Sequence, residues 1–181
     1  MESIIKNIEI RYFRSIYRAK IQGLRSLNVF SGRNDAGKSN VLKALNLFFN
    51  KQTDWRTAID FYRDFSNKRL TEVRKESIKG KQFISIEIEF NRPKSYRGSL
   101  PELFKVTRTW HRDSKEYAES NNIEGQYKTG KLPQKLSTAK RFLPILLNRI
   151  HFEYVPAVKD RIYFEHLLSV LQRNLLDIPL G

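Results

Sequence analysis

A chain of 181 residues, 40% apolar and 12% aromatic, is long enough to bury the core of one domain. It has no cysteine, which excludes disulfides and thiolate metal sites, and it shows neither a long apolar run nor a signal peptide, so we expect a cytoplasmic protein without a membrane span. The 34 Lys and Arg residues against 19 Asp and Glu residues give a formal charge of +15, which favours a polyanion such as DNA as a partner. Basic side chains that merely cover a solvated surface are the alternative.

Apolar spacing predicts the elements of the N-terminal third. Residues 4–10 alternate as a strand with Ile8 and Ile10 on one face, and a second strand follows the polar turn at Arg14 and Ser15. Residues 24–30 predict a short buried strand that runs into Gly32. Residues 38–50 have the helical spacing of an amphipathic helix.

The remaining elements are predicted from residue 50 onward. Short helices are expected around residues 55–65, and the charge-rich residues 67–81 suggest a mobile connection. The rest of the prediction comprises strands at residues 83–90 and 103–110, a hairpin extension or loop at 112–135, a helix at 137–148 that Pro144 could kink, a strand at 150–156, and a helix at 163–176. This order predicts an α/β fold with a mixed sheet and an antiparallel, loop-rich insertion over residues 66–135.

Residues 32–39 read GRNDAGKS and satisfy the phosphate-loop pattern G-x-x-x-x-G-K-[ST]. Glycines allow successive backbone N–H groups to turn inward around phosphate oxygens. Lys38 supplies a compact cation, Ser39 a hydroxyl for Mg²⁺, and the following helix points its positive end at the same anion. The pattern predicts a site for ATP and Mg²⁺, because an apolar segment precedes the loop and an amphipathic helix follows it, as the mechanism requires.

The wider segment, residues 32–45, reads GRNDAGKSNVLKAL and resembles the phosphate loop of ABC-type ATPase heads in the SMC, RecF and OLD (overcoming lysogenization defect) proteins. The opening Ile8, Ile10, Phe13, Arg14 and Ser15 are similar to the strand and turn that begin those heads. Residues 152–157, FEYVPA, resemble a strand of the OLD-type ATPases, which favours OLD over RecF or SMC. A buried strand end stopped by proline is the alternative interpretation of that segment.

The resemblance implies that ATP is bound between two heads of a homodimer, and that the partner head completes the hydrolytic site. It also implies that Asn34 contacts the γ-phosphate region and that Arg14 approaches the nucleotide, although a solvated turn arginine is the alternative. The full set of predicted nucleotide-binding residues is Arg14, Gly32, Asn34, Asp35, Ala36, Gly37, Lys38, Ser39 and Asn40, with Ser39 as the Mg²⁺ ligand. In OLD proteins such an ATPase is joined to a metal-dependent Toprim nuclease, in DNA repair or antiphage defence, which suggests a nuclease or defence partner.

The residues that would complete hydrolysis are not recognisable. An apolar strand ending in Asp-Glu and an LSGG-like signature are absent from the sequence, so we expect both beyond residue 181 and leave the catalytic residues unassigned. Residues 1–181 would then form an N-terminal lobe that binds nucleotide weakly or not at all alone and does not hydrolyse it. The alternative to a nuclease-coupled ATPase is a RecF- or SMC-like DNA clamp without nuclease activity, while an ABC transporter subunit fits the basic charge poorly.

Other residue types give weaker signals. His111, His151 and His166 lack the spacing of metal ligands, and we expect ordinary surface or core roles for them. Four aromatic residues interleave with basic ones and could stack on bases, although packing is the favoured role: Trp55, Tyr96, Trp110 and Tyr127.

Overall fold

The computed structural model describes residues 3–32, 37–76, 82–114, 116–127, 133–156 and 161–176. In chain order its strands are β1 (Ile5–Phe13), β2 (Ile16–Ile21), β3 (Gln52–Asp54), β4 (Thr57–Ala58), β5 (Phe83–Asn91), β6 (Leu103–His111) and β7 (Tyr117–Asn121). Its helices are α1 (Lys38–Asn50), α2 (Phe61–Asp64), α3 (Asn67–Glu76), α4 (Ile123–Tyr127), α5 (Pro133–Arg149) and α6 (Arg161–Leu176). The chain therefore combines helices and strands as an α/β fold.

A five-stranded sheet in the order β2-β1-β5-β6-β7 forms the framework, and its described strand pairs are all antiparallel. The register places Ile10 opposite Ile86 and Ile88 opposite Val106, so the apolar residues of neighbouring strands share one face. That face is buried, and the apolar sides of α1 and α5 belong to the same core. Strand alternation thus creates one dry face, which the two helices cover.

The other face of the sheet is charged. Glu9 on β1 is paired with Arg11, Arg18 and Lys20, at nitrogen–oxygen distances of 2.6, 3.0 and 3.5 Å. Burial alone would raise the pKa of Glu9, but the hydrogen bonds and charges of Arg11 and Arg18 bring it below its ordinary value. Alternation along β1 therefore separates a core face from a face of ion pairs.

Most predicted elements are confirmed, including the two N-terminal strands, the helix at 38–50 and the strands β5 and β6. The predicted hairpin extension contains β7, which pairs with β6. The helix predicted from residue 163 begins slightly earlier, as α6. Pro144 lies inside α5, whose start at Pro133 precedes the predicted start at 137.

The prediction of a buried strand at residues 24–30 was wrong. The segment has no strand assignment, and Leu27 and Val29 are 81% and 82% exposed. An apolar run becomes a strand only when another strand pairs with it, and no strand within the described ranges does so.

Three further expectations need correction. Of the predicted mobile connection at 67–81, residues 67–76 form α3 and residues 77–81 lie outside the described residues. The predicted short helices around 55–65 reduce to α2, preceded by the β3–β4 hairpin. Residues 150–156 carry no strand assignment, although Tyr154 and Pro156 are buried. None of the helices that the structure describes has the length and apolar character needed to cross a bilayer.

Candidate nucleotide-binding site

The N-terminal end of α1 is organised by glycine. Gly37 precedes the helix with φ of 85°, in the left-handed region where residues with a Cβ are strained. Its carbonyl accepts the backbone N–H groups of Asn40 and Val41 at 3.0 and 3.2 Å. Gly37 provides no side-chain cap, so the positive end of the helix faces the phosphate loop.

Lys38 contacts Gly32, the first residue of the phosphate-loop pattern. Its ammonium group donates a hydrogen bond to the carbonyl oxygen of Gly32 at 2.6 Å. Gly32 has φ of 147° and Ser39 is exposed at the first turn of α1. A lysine ammonium and an exposed hydroxyl thus lie together at a helix N-terminus.

Three predicted site residues, Asn34, Asp35 and Ala36, lie outside the described residues. Their contacts with phosphate therefore remain predictions. The structure does bring Gly32 and Lys38, six positions apart in sequence, into direct contact.

The turn at Arg14 and Ser15 packs directly against the loop. The side-chain amide of Asn40 donates to the hydroxyl of Ser15 at 2.8 Å. A Cβ placed on Gly37 would lie 3.0 Å from that same hydroxyl oxygen. Ser15 was not predicted as a site residue, yet it accepts a hydrogen bond from Asn40 and lies close to Gly37.

Arg14 is held by a residue that the sequence did not reveal. Its Nε donates to Oδ1 of Asp64 at 2.8 Å, and its backbone N–H donates to the carbonyl of Asp64 at 2.7 Å. The Asp64 side chain is completely buried, whereas 21% of the Arg14 side chain is exposed. Fifty positions separate this ion pair in sequence, so no local pattern could have indicated it.

A cavity of about 700 Å³ opens beside this turn. Arg14, Ser15 and Asn40 line one part of it, and Arg63 and Lys68 add two further cations. The volume lies within the range of small-molecule sites, and the lining is mostly polar, with three cations and one carboxylate, Asp54, which is paired with Lys43. The arrangement is suited to an anionic ligand that reaches the start of α1.

The four aromatic residues named above have packing contacts. Trp110 and Tyr96 are 3% and 7% exposed. Trp55 packs edge to face on Tyr163 with ring centroids 5.3 Å apart, and Tyr127 is partly buried against the core. No group of three or more potential metal ligands occurs in the part of the chain that the structure describes.

The model of the AAA ATPase domain family matches residues 4–178, nearly the whole chain. The chain belongs to this family. This chain is also similar to the uncharacterized protein MJECL10 of Methanocaldococcus jannaschii. The two are 33% identical over 63 residues, which are 35% of this chain and 29% of the relative. An ATP/GTP phosphatase of Helicobacter pylori is 43% identical over 42 residues, 23% of this chain and 11% of that protein. This chain thus spans less than a third of the length of these curated relatives.

The AAA ATPase domain has the fold of a known ATPase head. A structure described under the words "ATP-driven dimerization and DNA stimulated activation of SMC ATPases" superposes with a TM-score of 0.53 at 16% identity, covering 96% of this chain and 97% of the other. At this identity the likeness shows the fold alone. The predicted ATPase domain and the predicted SMC-head-like fold are confirmed, whereas the narrower resemblance to OLD proteins stays a prediction.

Proposed function

We propose that the AAA ATPase domain binds ATP with Mg²⁺ at the start of α1, and that the intact protein couples ATP hydrolysis to DNA processing by a nuclease of the OLD kind. The observation that carries the ATP site is the contact of the Lys38 ammonium with the Gly32 carbonyl at the open end of α1. This contact holds a cation where phosphate oxygens would be received.

The chemistry of the loop follows from these groups. A triphosphate offers Lys38 charged oxygens, which accept stronger hydrogen bonds than the neutral Gly32 carbonyl does. The hydroxyl of Ser39 would ligate Mg²⁺, and the positive end of the helix adds to the attraction. Mg²⁺ supplies charge neutralisation of the transferred phosphoryl group when bound.

The contact between Ser15 and Asn40 supports a positioning role for the Arg14 turn. Because Asn40 is tied to Ser15, the turn stays beside the first turn of α1. Arg14 lines the neighbouring cavity while Asp64 fixes its guanidinium. We infer that Arg14 faces the bound nucleotide through its exposed edge.

A second candidate function is an ATP-controlled DNA clamp that dimerises through its heads and has no nuclease. The observation that favours it is the match of the fold to an SMC head over nearly the full length of both chains. In both functions the strongly basic chain contacts DNA, and the two differ in whether the bound DNA is cut.

The ATP site is tested by nucleotide binding to the full-length protein and its Lys38→Ala variant. We expect at least a ten-fold loss of affinity for a fluorescent ATP analogue, because a charge-assisted hydrogen bond to phosphate is lost. Lys140→Ala, which removes an exposed lysine of α5, is the control and should bind as the wild type does. Equal affinity in the Lys38→Ala variant would contradict the proposed site.

The nuclease is tested separately, by incubating the full-length protein with linear and closed circular DNA, with and without ATP and Mg²⁺. Cleavage products support the nuclease-coupled function. ATP-dependent retention of uncut circular DNA on the protein supports the clamp instead.

A further inference from the structure

A second large cavity lies at the other end of α1, away from the phosphate loop. It measures about 830 Å³ and is bordered by the segment after β4 and by β6 and β7. We name it the aromatic cleft, and its characteristic residues are Lys51, Phe61, Tyr62, Trp110, Arg112 and Tyr117. Since α1 has 13 residues, the cleft lies about 20 Å from Lys38 along the helix axis.

Tyr62 is the most accessible ring of the cleft. The residue is 69% exposed on the short helix α2, and its ring lies edge to face with Phe61 at a centroid distance of 6.5 Å. The guanidinium of Arg112 lies 5.3 Å from the centre of the Tyr62 ring, and its Nε donates to the tyrosine hydroxyl at 3.2 Å. A cation thus holds the ring in place while most of its surface remains open.

Lys51 and Tyr117 repeat this pairing across the cleft. The ammonium of Lys51 lies 5.6 Å from the centre of the Tyr117 ring. Tyr117 also contacts Arg108, whose guanidinium lies 4.5 Å from the centre of the Tyr117 ring. The same guanidinium is paired with the carboxylate of Glu119 at 2.8 Å. Two aromatic rings, each with a cation beside it, therefore line one cavity.

Two acidic residues, Asp60 and Glu116, border the cleft, and Glu116 is exposed. The carboxylate of Asp60 accepts the backbone N–H groups of Tyr62 and Arg63 and so caps α2. A smaller cavity of about 250 Å³ also borders Phe61, Tyr62 and Arg112, and adds Arg74 to the basic lining. The accessible chemistry is therefore flat aromatic surface with cations at its edges, beside one exposed acidic residue, Glu116.

We propose that the aromatic cleft binds an unpaired segment of nucleic acid, with a base stacked on Tyr62 and flanking phosphates held by Lys51 and Arg112. Exposed aromatic rings stack on bases of any sequence, and neighbouring cations track the backbone. Bases inside a duplex are already stacked and cannot enter such a cleft. This inference rests on the nucleic-acid part of the proposed function and names the strand form that the domain takes.

The test measures binding of the full chain to a fluorescein-labelled oligothymidylate of about 15 nucleotides, by anisotropy and without ATP. Tyr62→Ala should weaken binding about ten-fold, and Tyr62→Phe should retain binding within about two-fold because the ring remains. Arg112→Ala should also weaken it. Phe164→Ala, which removes a 52% exposed aromatic ring from α6, and Arg141→Ala, which removes a cation from α5, are the matched controls and should bind normally.

Three results would overturn the inference. The first is unchanged binding in Tyr62→Ala and Arg112→Ala, and the second is equal competition by a duplex of the same length. In both cases DNA contact itself survives, so the proposed function stands. The third is no binding of single-stranded or duplex DNA by the wild type, which would also remove the DNA part of the proposed function but leave ATP binding through Lys38 intact.

Discussion

Gly37 joins two parts of the candidate site through its lack of a side chain. Its φ is 85°, and an added Cβ would lie only 3.0 Å from the Ser15 hydroxyl, which would have to shift to make room. We expect Gly37→Ala to lower the free energy of unfolding by about 1–2 kcal/mol, from backbone strain and crowding together. Urea denaturation of the full chain measures it.

The control for this substitution is Gly98→Ala. A Cβ on Gly98 would meet nothing within 4 Å, and its backbone lies outside the left-handed region. The Gly98 variant should unfold within about 0.5 kcal/mol of the wild type. Equal stability of the two variants would show that the loop yields to the extra methyl group.

Asp54 makes stability depend on pH. Burial alone would raise its pKa, but the hydrogen bonds from Lys43 and the backbone N–H of Trp55 bring the pKa below the ordinary value. A carboxyl whose folded pKa is lowered stabilises the fold above its unfolded pKa, and this contribution disappears as the pH falls through the folded pKa. Because 34% of the Asp54 side chain is exposed, the contribution is less than about 1 kcal/mol.

The measurement compares urea unfolding of the wild type and Asp54→Asn between about pH 6 and pH 3. The stability difference between them should shrink on acidification. Asp113→Asn, at a side chain that is 95% exposed, should parallel the wild type throughout. A difference between wild type and Asp54→Asn that stays constant with pH would rule out the carboxylate as its source.

At the scale of elements, β5 is the central strand and alternates most regularly. Its buried residues Ile84, Ile86, Ile88 and Phe90 are 0% exposed. We expect Ile88→Ala to cost about 2–5 kcal/mol, since it removes buried methyl groups and leaves a cavity. Ser85→Ala, at a half-buried position of the same strand, should cost much less, and denaturant titration of both variants checks the difference.

Periodicity in the sequence was sufficient to predict those strands that pair within a sheet whose one face is buried. β1, β5 and β6 were predictable because their alternation matches a sheet with one buried face. The helix α3 was missed because its composition is dominated by charge and only Leu70 and Val73 are apolar. Residues 24–30 have the composition of a strand, but composition cannot report whether a neighbouring strand exists.

Spacing alone predicted the candidate site only where its residues are adjacent in sequence, and Arg14 entered the prediction through the family resemblance. Gly32, Gly37, Lys38 and Ser39 follow a local spacing with a physical reason for each residue type. The bonds from Asn40 to Ser15 and from Arg14 to Asp64 span 25 and 50 positions. Such contacts depend on how the sheet and α1 are packed, which no local pattern encodes.

For the whole molecule, the formal charge of +15 predicts that the proposed DNA binding depends steeply on salt. Each phosphate neutralised by Lys or Arg releases a counterion, so a rise from about 50 to 200 mM salt should weaken binding at least ten-fold. Binding titrations across this range measure how the logarithm of the affinity changes with the logarithm of the salt concentration. Wild type and Tyr62→Phe carry the same charge and should give similar slopes. Affinity that is insensitive to salt would exclude phosphate contacts as its main source.

The helix α1 begins at Lys38 and ends where Lys51 takes over with φ of 60°. Each added residue turns an α-helix by about 100° and lengthens it by about 1.5 Å. A single insertion within α1 would therefore swing one of its ends out of alignment while the other stayed in place. The length of α1 therefore sets the relative position of its two ends. We expect this helix to accept substitutions of its exposed residues far more readily than any insertion or deletion.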